Sequence, residues 1–307
     1  MPAPETRGER ATTVGVFSGA VDPREAGRRE RGGLPSRPPT SPGAWPRACR
    51  SLPARRLLVS LFALSACHHL RPLRFGPGGE IRDPHVLLRA LDERSARLTS
   101  IEAHGRIEIH GPRGNGSTGI EIAARRPSSL RIEIDSFFGS PVGLLATDGR
   151  DVAFLDEERG VFAAGPATPE AMARILPVAW PPARAVDLLL ADPPRLSGSM
   201  TLRVDPGRAA YELAISAGGV RQLLDLDTES LALVHASLSG EEGYEADFHD
   251  LASIGGVDFP REIAVRVPAA ATILRLRWRE VKLDVAFSPA LFRLSPPPGL
   301  RVTPMVP

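Results

Sequence analysis

A two-residue hydrophobic rhythm running from Gly105 to Arg279 limits the fold more than any other feature. Ile107 and Ile109 alternate with Arg106 and Glu108. Ile120 and Ile122 flank Glu121, and Leu130, Ile132 and Ile134 alternate with Arg131 and Glu133. Successive side chains of a strand point to opposite faces, so each run reads as a strand with one apolar and one wet face. The rhythm resumes through Leu202 and Val204, then Tyr211, Leu213 and Ile215, then Leu224 and Leu226. It ends with Leu274, Leu276 and Trp278 set against Arg275, Arg277 and Arg279. Gly111-Pro-Arg-Gly, Asp148-Gly149, Gly218-Gly219 and Gly255-Gly256 supply turns between runs.

Two stretches depart from this rhythm. Asp83-Pro84 is a helix entry, and Leu87, Leu88, Leu91 and Leu98 follow at helical spacing. Thr168-Pro169-Glu170 is a capping signature ahead of Met172, Ile175 and Leu176. Pro181-Pro182 opens a further helix with Val186, Leu188, Leu189 and Leu190, and Pro193-Pro194 stops it. About eleven strands in meander order, with one helix before and two inserted midway, predict a mainly β protein with α. The form that fits best is a single strongly curved antiparallel sheet wrapping the helices. A β-sandwich is the alternative, and it leaves the helical insert without a place.

The folded part is preceded by Arg55–Cys67, RRLLVSLFALSAC. Two arginines, a short apolar run and small residues before a cysteine have the three-part logic of an export signal. Leu64-Ser65-Ala66-Cys67 resembles the lipobox of bacterial lipoproteins, in which the thiol is acylated and cleavage exposes the cysteine. The uncharged run Leu57–Ala66 has ten residues, and a membrane span needs roughly 20. A span or a buried helix are the competing readings. On the lipoprotein reading residues 51–66 are the signal peptide and Cys67 is the lipidation site. Residues 1–50 are then a disordered arm or an extension ahead of the true start, being rich in Arg, Pro, Gly and Ser. Residues 67–83 form a lipidated flexible tether around Gly76, Pro77, Gly78 and Gly79. Residues 84–300 are the folded domain and 301–307 a tail.

Charge divides along the same line. Residues 1–66 carry 11 Arg and 5 acidic residues, leaving 27 basic and 31 acidic residues from Cys67 onward, a net of −4. The domain has no basic footprint, so no nucleic-acid partner is expected. The two cysteines are Cys49, before the cut, and Cys67, so the domain relies on its core rather than a disulfide. His85, His104, His110, His235 and His249 are scattered, and Asp247, His249 and Asp250 read as a solvated cluster. Adjacent His68 and His69 sit in the tether without further ligands, so no metal is expected there. No Gly-x-Ser-x-Gly, P-loop or His-Glu-x-x-His occurs. The reading is a protein that is not an enzyme and uses no cofactor.

The order of parts resembles the LolA/LolB superfamily of bacterial lipoprotein carriers and receptors, and most of all LolB-type outer-membrane lipoproteins. The likeness rests on the lipobox, the leading helix, Arg126-Pro127 followed by Leu130-Arg-Ile-Glu-Ile134, Phe138-Gly139, and Ile175-Leu-Pro-Val before the second inserted helix. Phe292-Arg-Leu and Pro297-Pro-Gly near the C-terminus also resemble that superfamily.

The resemblance implies an unclosed β-barrel, lidded by helices, whose apolar face takes acyl chains. The inward strand residues, Ile107, Ile109, Ile120, Ile122, Leu130, Ile132, Ile134, Leu274, Leu276 and Trp278, would line that cavity. The same residues could equally form a filled core. The resemblance also assigns Phe138, with Phe137 beside it, to a loop that contacts membrane or lipid. Two consecutive Phe cannot both face inward on a strand, so a turn packed on the core is the other reading. His68, rather than aspartate, follows Cys67, which favours delivery to the periplasmic face of the outer membrane. The expected partners are the membrane, through acylated Cys67, the acyl chains of lipids or lipoproteins, and a periplasmic carrier protein. The expected role is receiving or inserting lipoproteins or lipids. The alternative is a lipoprotein of the same fold with a filled core, acting as a structural or assembly partner in the envelope.

Overall fold

The computed structural model describes residues 73–135 and 141–305. The first element, α1 (Pro84–Ala96), begins where the Asp83 carboxylate accepts a hydrogen bond from the His85 N–H at 2.9 Å. Pro84 occupies a position whose N–H would have no partner, so its ring costs nothing there. Leu87 and Leu91, one turn apart, are buried.

Six strands follow: β1 (Ser100–Gly111), β2 (Gly114–Arg125), β3 (Ser129–Asp135), β4 (Pro141–Thr147), β5 (Asp151–Asp156) and β6 (Val161–Pro166). The helical insert is α2 (Pro169–Ala173), capped by the Thr168 hydroxyl on the Ala171 N–H, and α3 (Pro182–Leu189). Seven more strands run from β7 (Ser199–Asp205), β8 (Ala210–Ala217) and β9 (Val220–Asp227) to β10 (Leu233–Leu238), β11 (Tyr244–Ile254), β12 (Val257–Val267) and β13 (Thr272–Leu283). The last is β14 (Val302–Pro304).

These strands make one sheet in the order β14, β6, β5, β4, β3, β2, β1, β13, β12, β11, β10, β9, β8, β7. Every pairing is antiparallel except β14 on β6, which is parallel. β14 and β7 are the two edges and do not pair with each other, so the sheet is not closed. Among the described residues the strand number is fourteen rather than about eleven. The clearest surplus is β14, three residues within the expected tail. It is too short for alternation to mark, and it is held by pairing with Phe162, Ala163 and Ala164 of β6.

Register aligns the apolar positions in rows. Ile107 lies opposite Leu276, and Ile109 opposite Leu274. Ile120 pairs with Ile134 and Ile122 with Ile132, while Ile263 and Val265 of β12 meet Leu276 and Leu274. A bulge at Arg279 shifts the pattern on β13, so the inward set passes from Leu274, Leu276 and Trp278 to Val281 and Leu283. The inserted helix α3 packs on β2 and β3, and α1 on β7; both join the same apolar cluster.

Two end segments are tied down. The stretch before α1 is packed rather than a free tether from residue 73 onward. The Phe75 ring sits 5.9 Å from that of Tyr211, and the Tyr211 hydroxyl accepts from the Ile81 N–H at 2.8 Å. The Gly76 N–H donates to the Thr228 carbonyl, and a Cβ on Gly76 would lie 2.9 Å from the Glu229 carbonyl oxygen. Here glycine provides close approach, not slack. After β13 the chain crosses the charged side of β2 and β3. The Arg125 guanidinium donates to the Phe287 carbonyl and lies 5.0 Å from the Phe292 ring centre, and Arg131 donates to the Leu291 carbonyl at 3.2 Å.

Candidate functional site: an apolar cavity under the helical insert

Between the sheet and the helical insert lies an apolar cavity of about 90 Å³. Its strand wall includes Ile107, Ile120, Ile122, Leu130, Ile132, Ile134, Leu274 and Leu276, brought together by the registers above. Ile109 and Trp278 are buried in the same cluster but do not line it. Ile263 and Val265 of β12 complete the wall. Their alternation is as plain as that of β1; what the sequence does not reveal is that β12 pairs with β13 at this register.

The opposite wall is Leu176, Pro177, Val178 and Trp180, followed by Ala185, Leu188 and Leu189 of α3. Pro177 and the Pro181-Pro182 pair keep residues 174–181 from joining α2 to α3, leaving an irregular apolar stretch of turns and bends between them. Within that stretch Leu176, Val178 and Trp180 fall at every second position, a signal readable from the sequence but spent there on locating helices.

Volume decides what this conformation holds. A dry cavity that accepts benzene is roughly 150 Å³, and pockets for larger ligands run to about 300–1,000 Å³. At about 90 Å³ the space is smaller than either. The space is small because side chains of the insert stand over β1–β3.

An arginine network fastens α3. Arg126, in the turn between β2 and β3, donates through Nη1 to Asp187 at 3.1 Å and through Nη2 to Asp192 at 2.5 Å, with Nε on the Leu98 carbonyl. Arg195 bonds the other Asp192 oxygen at 2.9 Å and reaches Asp92 of α1 at 3.0 Å. Asp192 is buried, and both of its oxygens are paired, as a buried carboxylate requires. Arg94 of α1 donates to the Ala191 carbonyl, where a left-handed residue ends α3. Burial pushes the Asp187 carboxyl up to about 6 against the opposing pull of Arg126, and burial lowers Arg94 to about 10. At its start α3 is held by Arg184 on Glu242 at 2.5 Å.

A larger hollow, about 580 Å³, lies elsewhere, is open and carries many charged side chains. It contains Asp247, His249 and Asp250, the cluster singled out in the sequence, with Asp225 and His235. The His235 Nδ1 lies 2.7 Å from Asp247. Among the described residues no group of His, Cys, Asp and Glu could hold a metal ion. Among the described residues, too, no helix is long and apolar enough to cross a membrane. Cys67, His68, His69, Phe137 and Phe138 lie outside the described residues.

No family model and no curated protein matches this chain. Solved structures do. A DUF1329 family protein from Desulfovibrio piger is similar at 13% identity, with a TM-score of 0.48 over 68% of this chain and 95% of that one. A LolA superfamily protein from Nitrosomonas europaea is similar at 12% identity, with a TM-score of 0.45 over 70% of this chain and 99% of that one. An outer membrane lipoprotein-sorting protein domain from Vibrio parahaemolyticus is similar at 8% identity, with a TM-score of 0.44 over 67% and 95%.

Proposed function

We propose that this chain is a lipid-anchored envelope protein, not a catalyst, that binds acyl chains between its sheet and its helical insert and so receives or inserts lipoproteins or lipids. One observation carries the reading: the cavity wall is apolar throughout, and seven of its seventeen residues belong to a segment that is not hydrogen-bonded into the sheet. A segment held by packing and a few arginine bonds can swing outward without breaking the strand ladder. Its displacement would merge the small cavity with the surface and expose a groove lined by isoleucine and leucine. Helices α2 and α3 then act as the lid. Acylated Cys67 would hold the domain at the periplasmic face of the outer membrane, with a periplasmic carrier as its partner. Attached acyl chains bind the bilayer by roughly 0.8 kcal/mol per buried CH₂, enough for a lasting anchor with several chains.

The test is lipid content and uptake. The full chain with Cys67→Ser is purified, its lipids are extracted for mass spectrometry, and a fluorescent fatty acid is titrated in. Copurified lipid and saturable uptake are expected. The small volume favours a second reading, a filled domain that serves as a passive assembly partner. No bound lipid and no uptake would select it.

A further inference from the structure

The α2 end of the insert is tied to the sheet by one residue from a distant part of the chain. Arg113 stands in the hairpin turn between β1 and β2, and its Nη1 donates to the Ala173 carbonyl and, at 3.0 Å, to the Leu176 carbonyl. Both carbonyls belong to the last turn around α2, where a helix leaves its acceptors without partners. Leu176 is itself part of the cavity wall, and Pro177 and Val178 follow it. Among the described residues these are the only side-chain hydrogen bonds from elsewhere onto residues 173–180.

The two sides of the insert differ in strength. Opening at α3 means separating Arg126 from Asp187 and Asp192 and Arg94 from the Ala191 carbonyl, with Asp192 and Arg94 buried. Breaking a buried pair is strongly unfavourable. Opening at residues 174–180 releases an exposed guanidinium from two carbonyls and uncovers buried Ile175, Val178 and Trp180, but it separates no buried ion pair. Of the two wall segments of the insert, the one beside Arg113 is thus the one that can part without separating a buried ion pair.

We infer that Arg113 is the headgroup site of this cavity, exchanging the Ala173 and Leu176 carbonyls for the anionic head of an acyl ligand. The inference rests on the acyl-binding reading above and adds the chemistry of the ligand's polar end. A guanidinium offers five donors in a planar fork that matches a carboxylate or a phosphate. Among the described residues Nε and Nη2 of Arg113 have no partner, so donors remain for a second acceptor. A fatty acid carboxylate and a phospholipid phosphate share the required chemistry.

The experiment uses the full chain with Cys67→Ser, alone and combined with Arg113→Gln or Arg113→Lys. Palmitate, lysophosphatidic acid and hexadecanol are titrated while tryptophan emission is followed, with Trp45→Phe and Trp278→Phe in every protein so that the signal is that of Trp180, in the cavity wall. The anionic ligands are expected to bind about tenfold more tightly than hexadecanol. Arg113→Gln should erase that preference and leave hexadecanol binding within about twofold, and Arg113→Lys should restore part of it. Preference for palmitate alone or lysophosphatidic acid alone supports the site and names the source of the anion. A preference that survives Arg113→Gln, or a loss shared equally by all three ligands, overturns it and leaves acyl binding standing. Failure of the parent protein to take up any of the three overturns both readings.

Discussion

Gly105 lies directly opposite Trp278, and a Cβ on Gly105 would come 2.2 Å from the Arg277 carbonyl oxygen and 3.0 Å from the Trp278 Cα. The pair sits where the Arg279 bulge resets β13, so the two backbones approach more closely than side chains permit. The atoms in the way are backbone atoms, which cannot rotate aside. Gly105→Ala should therefore cost about 1–3 kcal/mol, lowering the melting temperature by roughly 2–12 °C for a domain of this size. An unchanged melting curve would show that the bulge relaxes freely.

Filling the cavity should separate ligand binding from stability. Ala185 of α3 faces the space, and Ala185→Leu adds three carbons to a void of about 90 Å³. Stability should hold or rise by about 0.5–2 kcal/mol, as cavity-filling changes often do. Fatty acid uptake should fall at least about tenfold, a difference of roughly 1.4 kcal/mol. Full uptake by a stable Ala185→Leu protein would place the ligand elsewhere.

Arg126 carries the opposite expectation. Arg126→Met leaves half-buried Asp187 without its cation and buried Asp192 with Arg195 alone, a loss of about 3–5 kcal/mol by the usual cost of breaking such a pair. Urea denaturation measures it. If the midpoint hardly moves, the network does not fasten α3.

The Asp187 carboxyl gives a pH signature. Its value is raised from 3.8 to about 6, chiefly by burial, so between those limits the folded protein holds a proton that the unfolded chain releases. Its contribution to stability is thus fully present below pH 4 and is lost as pH rises to about 6. The same sign applies to any opening that returns Asp187 to water. Asp187→Asn should remove this slope, so the difference in stability between the two proteins should change across pH 4–6 and stay level above it. A difference independent of pH would mean that Asp187 is not held as the geometry indicates.

The anchor and loop make separate predictions. Cys67→Ser should move the protein from the membrane to the soluble fraction; retention would indicate a span. Phe137→Ser with Phe138→Ser should weaken transfer of lipid to liposomes while the melting curve stays nearly unchanged. A large stability loss would return both rings to the core.

What could be read from the chain alone is whatever short-range chemistry decides. Alternation in β1, β2, β3 and β13 marks which side chains share a face, because strand geometry sends every second residue the same way. The entry of α1 at Asp83-Pro84 and of α2 at Thr168-Pro169 follows from capping within three residues. The list of inward residues followed from the same rule, and eight of those ten line the cavity. Tertiary structure alone decided everything that depends on partners distant in sequence. It set the register that brings Ile263 and Val265 beside Leu276 and Leu274, and it paired β14 with β6. It bound residues 73–83 to Tyr211 and Thr228, and it laid Arg113 across the end of α2. The volume of the interior belongs to the same class. It is the small difference between the space enclosed by the sheet and the space filled by the insert, and no local pattern records that difference.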